Sequence, residues 1–317
     1  MSMIANENIV NGSGVTIDVA DVSKWYGSVV AVNEVAFKVT PGITALLGPN
    51  GAGKTTMLHM IAGLARCSEG DVQVLDEPVR GNPGIYTRLG FMSEHEAVYG
   101  FQTGRRFVEM SAQLHGLDAI EAAAKKAIDI VGLADVQDRP LKGYSRGMRQ
   151  RMRLAASIVH EPQVMILDEP LNGTDPRQRI EFQDVMRRLA REGKTILISS
   201  HILEEVETLA DRILLMVSGK LAAAGDFRAI REKLDGLAYR VRIVVDAPRA
   251  MAAALVAMEE VESVGVEEDQ SLIVLCRNVG PIQIAIPELA KSNGIRLLRV
   301  EPIDDSLEAL FGYLVDR

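Results

Sequence analysis

The chain predicts an α/β fold in two parts: a sheet core with a helical block inserted into it, then a small α+β domain. Three observations carry this. An apolar strand, Ile43 to Leu47, runs into a glycine-rich turn and then a helical pattern from Lys54 to Leu64, the local grammar of a phosphate site. Strand and helix patterns alternate from Val164 to Val217, as in an α/β sheet. From Tyr239 the order becomes βαββαβ plus a helix, which suits a ferredoxin-like domain.

In chain order, residues 1–14 are polar and read as a flexible tail; they show no basic stretch followed by an apolar one, so they do not read as a signal peptide. Residues 15–232 form the first domain. It opens with Val15, Ile17 and Val19 alternating with polar residues, a strand pattern. A helical subdomain is expected at about 97–160, because Arg105–Leu114, Ile120–Val131 and Gly147–His160 carry helical spacing with few β-branched runs. Strands then return at Val164–Leu167, Thr195–Ser199 and Ile213–Val217. Composition shifts near Lys233 to Gly236. Residues 237–317 form the accessory domain: strand Tyr239–Val245, helix Arg249–Met258, strands Val261–Val266 and Leu272–Cys276, helix Ile282–Lys291, strand Ile295–Val300 and helix Leu307–Val315.

A length of 317 residues fits this two-domain plan. Lys plus Arg number 35 against 43 Asp plus Glu, a net charge of −8, which argues against binding nucleic acid across the surface. The accessory domain holds 13 acidic and 8 basic residues and so carries −5 of that charge. Cys67 and Cys276 form neither a CxxC pair nor a zinc spacing, which fits a reduced, cytoplasmic setting. Apolar runs such as Ala250–Met258 fall far short of the roughly 20 residues that span a bilayer, so any membrane role comes through a partner.

Gly48-Pro49-Asn50-Gly51-Ala52-Gly53-Lys54-Thr55 fits GxxxxGK[ST] at every fixed position. Glycines let the backbone curl so that several N–H groups face one concavity. The following helix start adds partial positive charge there. Lys54 is placed to reach the outer phosphates of a nucleotide and the Thr55 hydroxyl to ligate Mg²⁺; Thr56 joins the binding set. A second element, Val164-Met165-Ile166-Leu167-Asp168-Glu169, reads as a strand buried on both faces that ends in two acids. Asp168 is placed to hold Mg²⁺, and Glu169 to orient and polarise an attacking water.

Between these elements lies Tyr144-Ser145-Arg146-Gly147-Met148-Arg149-Gln150-Arg151. With it, residues 15–232 resemble the nucleotide-binding subunit of ATP-binding cassette (ABC) transporters, whose fold is the P-loop NTPase sheet core with a helical subdomain. The family signature is usually Leu-Ser-Gly-Gly-Gln. Ser145 and Gly147 match it, while Tyr144, Arg146 and Met148 depart. A serine hydroxyl and amides at a helix start suffice for a γ-phosphate. The resemblance implies that this element completes the ATP site of the facing subunit, hence a homodimer around two Mg·ATP.

Further residues follow from the resemblance. Asn172-Gly173-Thr174-Asp175 corresponds to the dimer-contact loop; Asp175 also reads as an N-cap with Pro176 at the first helical position. His201, after the strand ending in Ser199, is placed to donate to a γ-phosphate. Tyr26 lies where the family places an aromatic against adenine, with Trp25 competing. Glu94, at the end of Gly90-Phe91-Met92-Ser93-Glu94, stands where the family has glutamine; its carboxylate would attract Mg²⁺ or repel γ-phosphate. Arg146, Arg149, Arg151 and Arg153 fall on more than one side of their helix, so a solvated helix is expected rather than a nucleic-acid face.

The resemblance implies an ATPase that drives an integral membrane permease from the cytoplasmic face. Gly147–Arg151 and the segment Pro302–Glu308 are similar to bacterial exporter subunits with separate permeases. For the accessory domain, a dimer-forming role is preferred over ligand binding or simple cover. A soluble family ATPase without a permease, for example in cluster assembly, and a nucleotide-gated scaffold are the alternatives.

Overall fold

The computed structural model describes residues 14–95, 98–202, 206, 208–226, 239–277 and 279–302. The sequence readings at 1–13, Lys233–Gly236 and Leu307–Val315 lie outside them. The chain divides into two compact units, Met1–Phe227 and Arg228–Arg317.

The first unit is built on a six-stranded sheet. In spatial order it runs β10 (Lys220–Gly225), β9 (Arg212–Val217), β3 (Gly42–Leu47), β8 (Thr195–Ser200), β7 (Val164–Leu167) and β6 (Leu89–Met92). β9, β3, β8, β7 and β6 are parallel, and β10 joins the edge antiparallel. Every residue of β7 and β8 is buried. That is why β7 and the Ile196–Ile198 centre of β8 read as apolar runs rather than as alternation. A second, antiparallel sheet joins β2 (Val29–Val39), β1 (Ile17–Tyr26), β4 (Glu69–Val74) and β5 (Glu77–Pro78).

Helix α1 (Lys54–Ile61) packs into the core that the two sheets share. Met57, Leu58, Met60 and Ile61 are buried against Ile17, Val22, Val35 and Phe37 of the small sheet and Leu46, Ile166 and Leu214 of the large one. A Leu58→Ala or Leu46→Ala change in such a site costs about 2–5 kcal/mol. The start of α1 is thus held at the end of β3 by packing, not by the glycine loop alone.

Helices α2 (Gly104–Leu114), α3 (Ile120–Ile130) and α4 (Arg146–Ile158) form the inserted helical block, and α5 (Pro176–Arg191) links β7 to β8. The arginines of α4 correct an expectation. Arg151 and Arg153 are not solvated: they are only 9% and 7% exposed. Arg146 at the start of α4 is exposed and Arg149 half-buried, but α4 packs against α2, α3, α5 and β6, which encloses Arg151 and Arg153. They persist there because each meets acceptors: Arg151 donates to Val131 O at 3.2 Å and pairs with Glu181 at 2.9 Å, and Arg153 donates to main-chain carbonyls. A buried charge without such partners costs several kcal/mol.

The second unit is an antiparallel sheet in the order β12 (Val261–Val266), β13 (Leu272–Cys276), β11 (Tyr239–Val245), β14 (Leu297–Pro302), with helices α6 (Pro248–Val256) and α7 (Val279–Ser292). Val241, Ile243 and Val245 alternate inward on β11, as Leu272, Val274 and Cys276 do on β13, and they meet Met251, Leu255, Ile282 and Ile286. Order and pairing are those of the ferredoxin-like arrangement that the element order predicts.

Candidate functional site

Three neighbouring parallel strands, β3, β8 and β7, end on the same edge of the large sheet. Ligands of open α/β sheets bind at the carboxyl ends of the strands. The sequence-marked residues follow these ends: loop 48–53 after β3, Asp168 and Glu169 after β7, and His201 after β8.

The loop needs its glycines. Gly51 and Gly53 sit at φ +83° and +96°, in the left-handed region that favours glycine. A Cβ at Gly48 would lie 2.4 Å from Met216 O, and one at Gly53 2.4 Å from Ala31 O. No side chain caps α1, whose N-cap is Gly53, so the amides of the first turn face the loop's concavity. Lys54 is buried, and its Nζ donates to Gly48 O at 2.8 Å and Pro49 O at 3.3 Å.

The same ammonium lies 3.4 Å from Glu169 Oε1, while Glu169 Oε2 lies 2.8 Å from His201 Nδ1. Glu169 is buried and its backbone is left-handed, φ +46°, a conformation that costs a side-chain-bearing residue about 1–2 kcal/mol. Its N–H donates to Ser199 Oγ at 2.8 Å, and Ser199 Oγ donates to Asp168 Oδ1 at 2.6 Å. The strained turn is therefore pinned from β8. Asp168 Oδ2 is buried without a hydrogen-bond partner among the described residues. Buried acceptors are rarely left so. Thr55 lines the cavity over these strand ends, as does Glu169, the neighbour of Asp168, which itself does not; a threonine hydroxyl and carboxylates are hard oxygen donors, which suit a hard divalent cation such as Mg²⁺.

A cavity of about 430 Å³ covers this ground. Asn50, Gly51, Ala52, Gly53, Lys54, Thr55, Thr56, Glu94, Glu169 and His201 line it, as do Asn172 and the β2 edge at Val29, Val30 and Ala31. Tyr26 is not among the lining residues; half of it is exposed and Lys24 Nζ sits 4.8 Å above its ring.

Ser145, Gly147 and Asp175 are brought together elsewhere in the chain. Ser145 caps α4, accepting from Met148 N at 3.2 Å, and its hydroxyl donates to Gln178 Oε1 at 3.0 Å. Asp175 caps α5, accepting from Gln178 N at 3.0 Å, with Pro176 at the first helical position. The Gln178 side chain fills the space beside Gly147, and the Arg146 guanidinium lies against Gly173. Sequence reading missed Ser199, Gln178 and the Val29–Ala31 edge. For Ser199 a signal existed: Ser199 and Ser200 end an otherwise apolar buried strand, where a hydroxyl needs a partner.

The family model described as "ABC transporter" matches residues 32–172. Over 265 residues the chain is 35% identical to the daunorubicin resistance ATP-binding protein DrrA3 of Streptomyces coeruleorubidus, covering 82% of each. The chain belongs to the ABC transporter family. This family member is also 32% identical to the Nod factor export ATP-binding protein I of Sinorhizobium fredii, covering 96% of the chain and 87% of that protein. A solved structure titled as the ATP binding subunit of an ABC transporter overlays with a TM-score of 0.62 at 25% identity, over 69% of this chain and 92% of that one. Family, fold and activity agree with the motif reading: this is an ATP-binding, ATP-hydrolysing subunit of an ABC transporter. Its partner is a membrane permease. No helix among the described residues is long and apolar enough to cross a membrane.

Proposed function

We propose that two copies of this chain close around two ATP molecules, hydrolyse them and reopen, and that this cycle drives an exporter. The observation that carries the reading is Glu169, a buried carboxylate fixed between Lys54 and His201 next to Asp168, whose Oδ2 has no hydrogen-bond partner among the described residues. Lys54 and the loop amides would hold the outer phosphates and stabilise charge as the γ-phosphoryl leaves. Glu169 would orient and polarise the attacking water, and His201 would hold Glu169 and reach the γ-phosphate. Asp168 and Thr55, with Glu94 as a third ligand, would hold Mg²⁺, which neutralises phosphate charge when bound.

Ser145 and Gly147 stand apart from this cradle, which supports their acting on the facing copy's nucleotide, with Asp175 at the contact. Tyr26 and the Val29–Ala31 edge supply the surface for the base. Export follows from the relatives' names, which speak of drug resistance and Nod factor export. The chain then works at the cytoplasmic face of the cell membrane, bound to its permease.

The test is Glu169→Gln in the full-length chain with its permease. It should bind ATP as wild type does and turn it over at least about a hundredfold more slowly. Near-normal hydrolysis by this variant overturns the assignment of Glu169. Wild-type turnover that persists unchanged at dilutions where sedimentation finds only single chains overturns the dimer.

A further inference from the structure

Arg153 lies eight residues beyond Ser145 on α4 and is buried. Nη2 donates to the main-chain carbonyls of both Ser93 and His95, the latter at 2.8 Å, and Nη1 donates to Gln150 Oε1 at 2.5 Å. Those two carbonyls flank Glu94. A guanidinium is planar and its donors are fixed in direction. Gripping the carbonyls before and after a residue therefore fixes that residue's backbone, and charge-assisted bonds of this kind are about twice as strong as neutral ones.

The grip sits between two cavities. Glu94 lines the phosphate cradle. Ser93, His95 and Arg153 line a second cavity of about 340 Å³, together with Phe107 and Ser111 of α2 and Ala156 of α4. Among the described residues, the loop also carries a bond from Ser93 Oγ to His95 O at 3.3 Å. A helix of the inserted block thus reaches the loop that carries Glu94 through a buried side chain.

We propose that Arg153 is a positioning residue for Glu94: its guanidinium holds the 93–95 loop so that the Glu94 carboxylate serves the Mg²⁺ of the bound nucleotide. This rests on the reading of the cradle as a Mg·ATP site. Removing a partner that orients a metal ligand typically weakens the metal by about 10–100-fold. A lysine keeps the charge, but its single nitrogen cannot hold the two carbonyls and the Gln150 side chain together as Nη2 and Nη1 of the arginine do, and its ammonium lacks the fixed planar fork, so it positions the loop less firmly.

The experiment uses the full-length chain loaded with a non-hydrolysable ATP analogue. Mn²⁺, standing in for Mg²⁺, is titrated and its free fraction read by electron paramagnetic resonance. Wild type, Arg153→Gln, Arg153→Lys, Glu94→Ala and the double change Arg153→Gln/Glu94→Ala are compared, with analogue binding measured separately without metal. Arg153→Gln and Glu94→Ala should each weaken Mn²⁺ by about tenfold, with metal-free analogue binding unchanged. The double variant should be no weaker than either single one, and Arg153→Lys should fall between. Losses that multiply in the double variant, or a Glu94→Ala that binds Mn²⁺ like wild type, overturn the proposal. If Arg153→Gln does not fold, the same cycle is closed with Arg153→Lys, whose loss must vanish when Glu94 is alanine. Failure of wild type to bind the analogue at all counts against the cradle reading instead.

Discussion

The Ser145 hydroxyl donates to Gln178 Oε1 across 3.0 Å, and the same glutamine occupies the place that a side chain at position 147 would need. A Cβ at Gly147 would lie 1.7 Å from Gln178 Oε1 and 2.8 Å from Gln178 Cβ. The whole side chain, not only its tip, would have to move. Gly147→Ala should therefore cost about 1–3 kcal/mol of stability, the usual price of overpacking, and release Ser145 from its acceptor. Turnover should fall at least tenfold. Adding Gln178→Ala removes the amide but leaves the Cβ at 2.8 Å, so it should restore part of the stability lost in Gly147→Ala; urea unfolding of the two variants checks this, and an undiminished loss in the double variant counts against the steric account.

Lys54 and Glu169 form a pair whose side chains are 7% and 8% exposed. Breaking a buried pair from one side strands the other charge, at about 3–5 kcal/mol where nothing else holds it. Here His201 still contacts the acid, at 2.8 Å, so Lys54→Met should destabilise the isolated chain by only about 2 kcal/mol. Lys54→Met/Glu169→Gln should recover about half of that, because the neutral amide needs no counter-charge. Both variants lose ATP hydrolysis. Equal unfolding midpoints for the single and double variants would show that Glu169 is not balanced by Lys54.

Ser199 is fully buried and joins the two acids, donating to Asp168 and accepting from the Glu169 amide. In Ser199→Ala both groups lose their partner, and each orphaned buried group costs about 1–3 kcal/mol. A total near 3 kcal/mol is expected, large for the deletion of one oxygen atom. Turnover should fall as well, since the φ +46° turn at Glu169 loses its anchor. Denaturant unfolding and steady-state ATP turnover read the two effects; a variant as stable as wild type contradicts this account.

The cradle was legible because its logic is local. Glycine at 48, 51 and 53, Lys54 and Thr55 lie within eight positions, and each is demanded by curvature or charge that the sequence displays directly. Glu169 and His201 were legible as residues, since each ends an apolar strand, but their meeting needs β7 and β8 to be neighbours. Partners supplied from far along the chain were not legible. Ser199 reaches back to Asp168, Gln178 to Ser145, and Arg153 to the carbonyls around Glu94. The arginines of α4 show why: spacing tells which side of a helix a residue occupies, and only the elements packed around it decide whether any side meets water. The antiparallel sheet of β1, β2, β4 and β5 was mostly missed for a similar reason, since its strands mix polar residues such as Asn33, Glu34 and Asp71 into their pattern.

His160 supplies a pH dependence of stability. Its Nε2 lies 3.2 Å from Leu89 O, its Nδ1 is buried without a partner among the described residues, and its ring stacks on His115 with centroids 3.7 Å apart. Burial, reinforced by repulsion from His115 and Lys194 and opposed by the Leu89 carbonyl, brings its pKa down from 6.5 to about 4; burial lowers that of His115 too. Between pH 6.5 and 4 the unfolded chain binds a proton at this histidine and the folded chain does not, so the folded state loses stability as pH falls through that window. Allowing for the residue's partial exposure, the loss is on the order of 2 kcal/mol. Replacing the histidine by a group that stays neutral removes this difference. Urea unfolding at pH 7.0 and pH 4.5 should show wild type losing more stability than His160→Gln on acidification, the gap closing by about that amount; parallel losses in the two proteins would place the acid sensitivity on other groups.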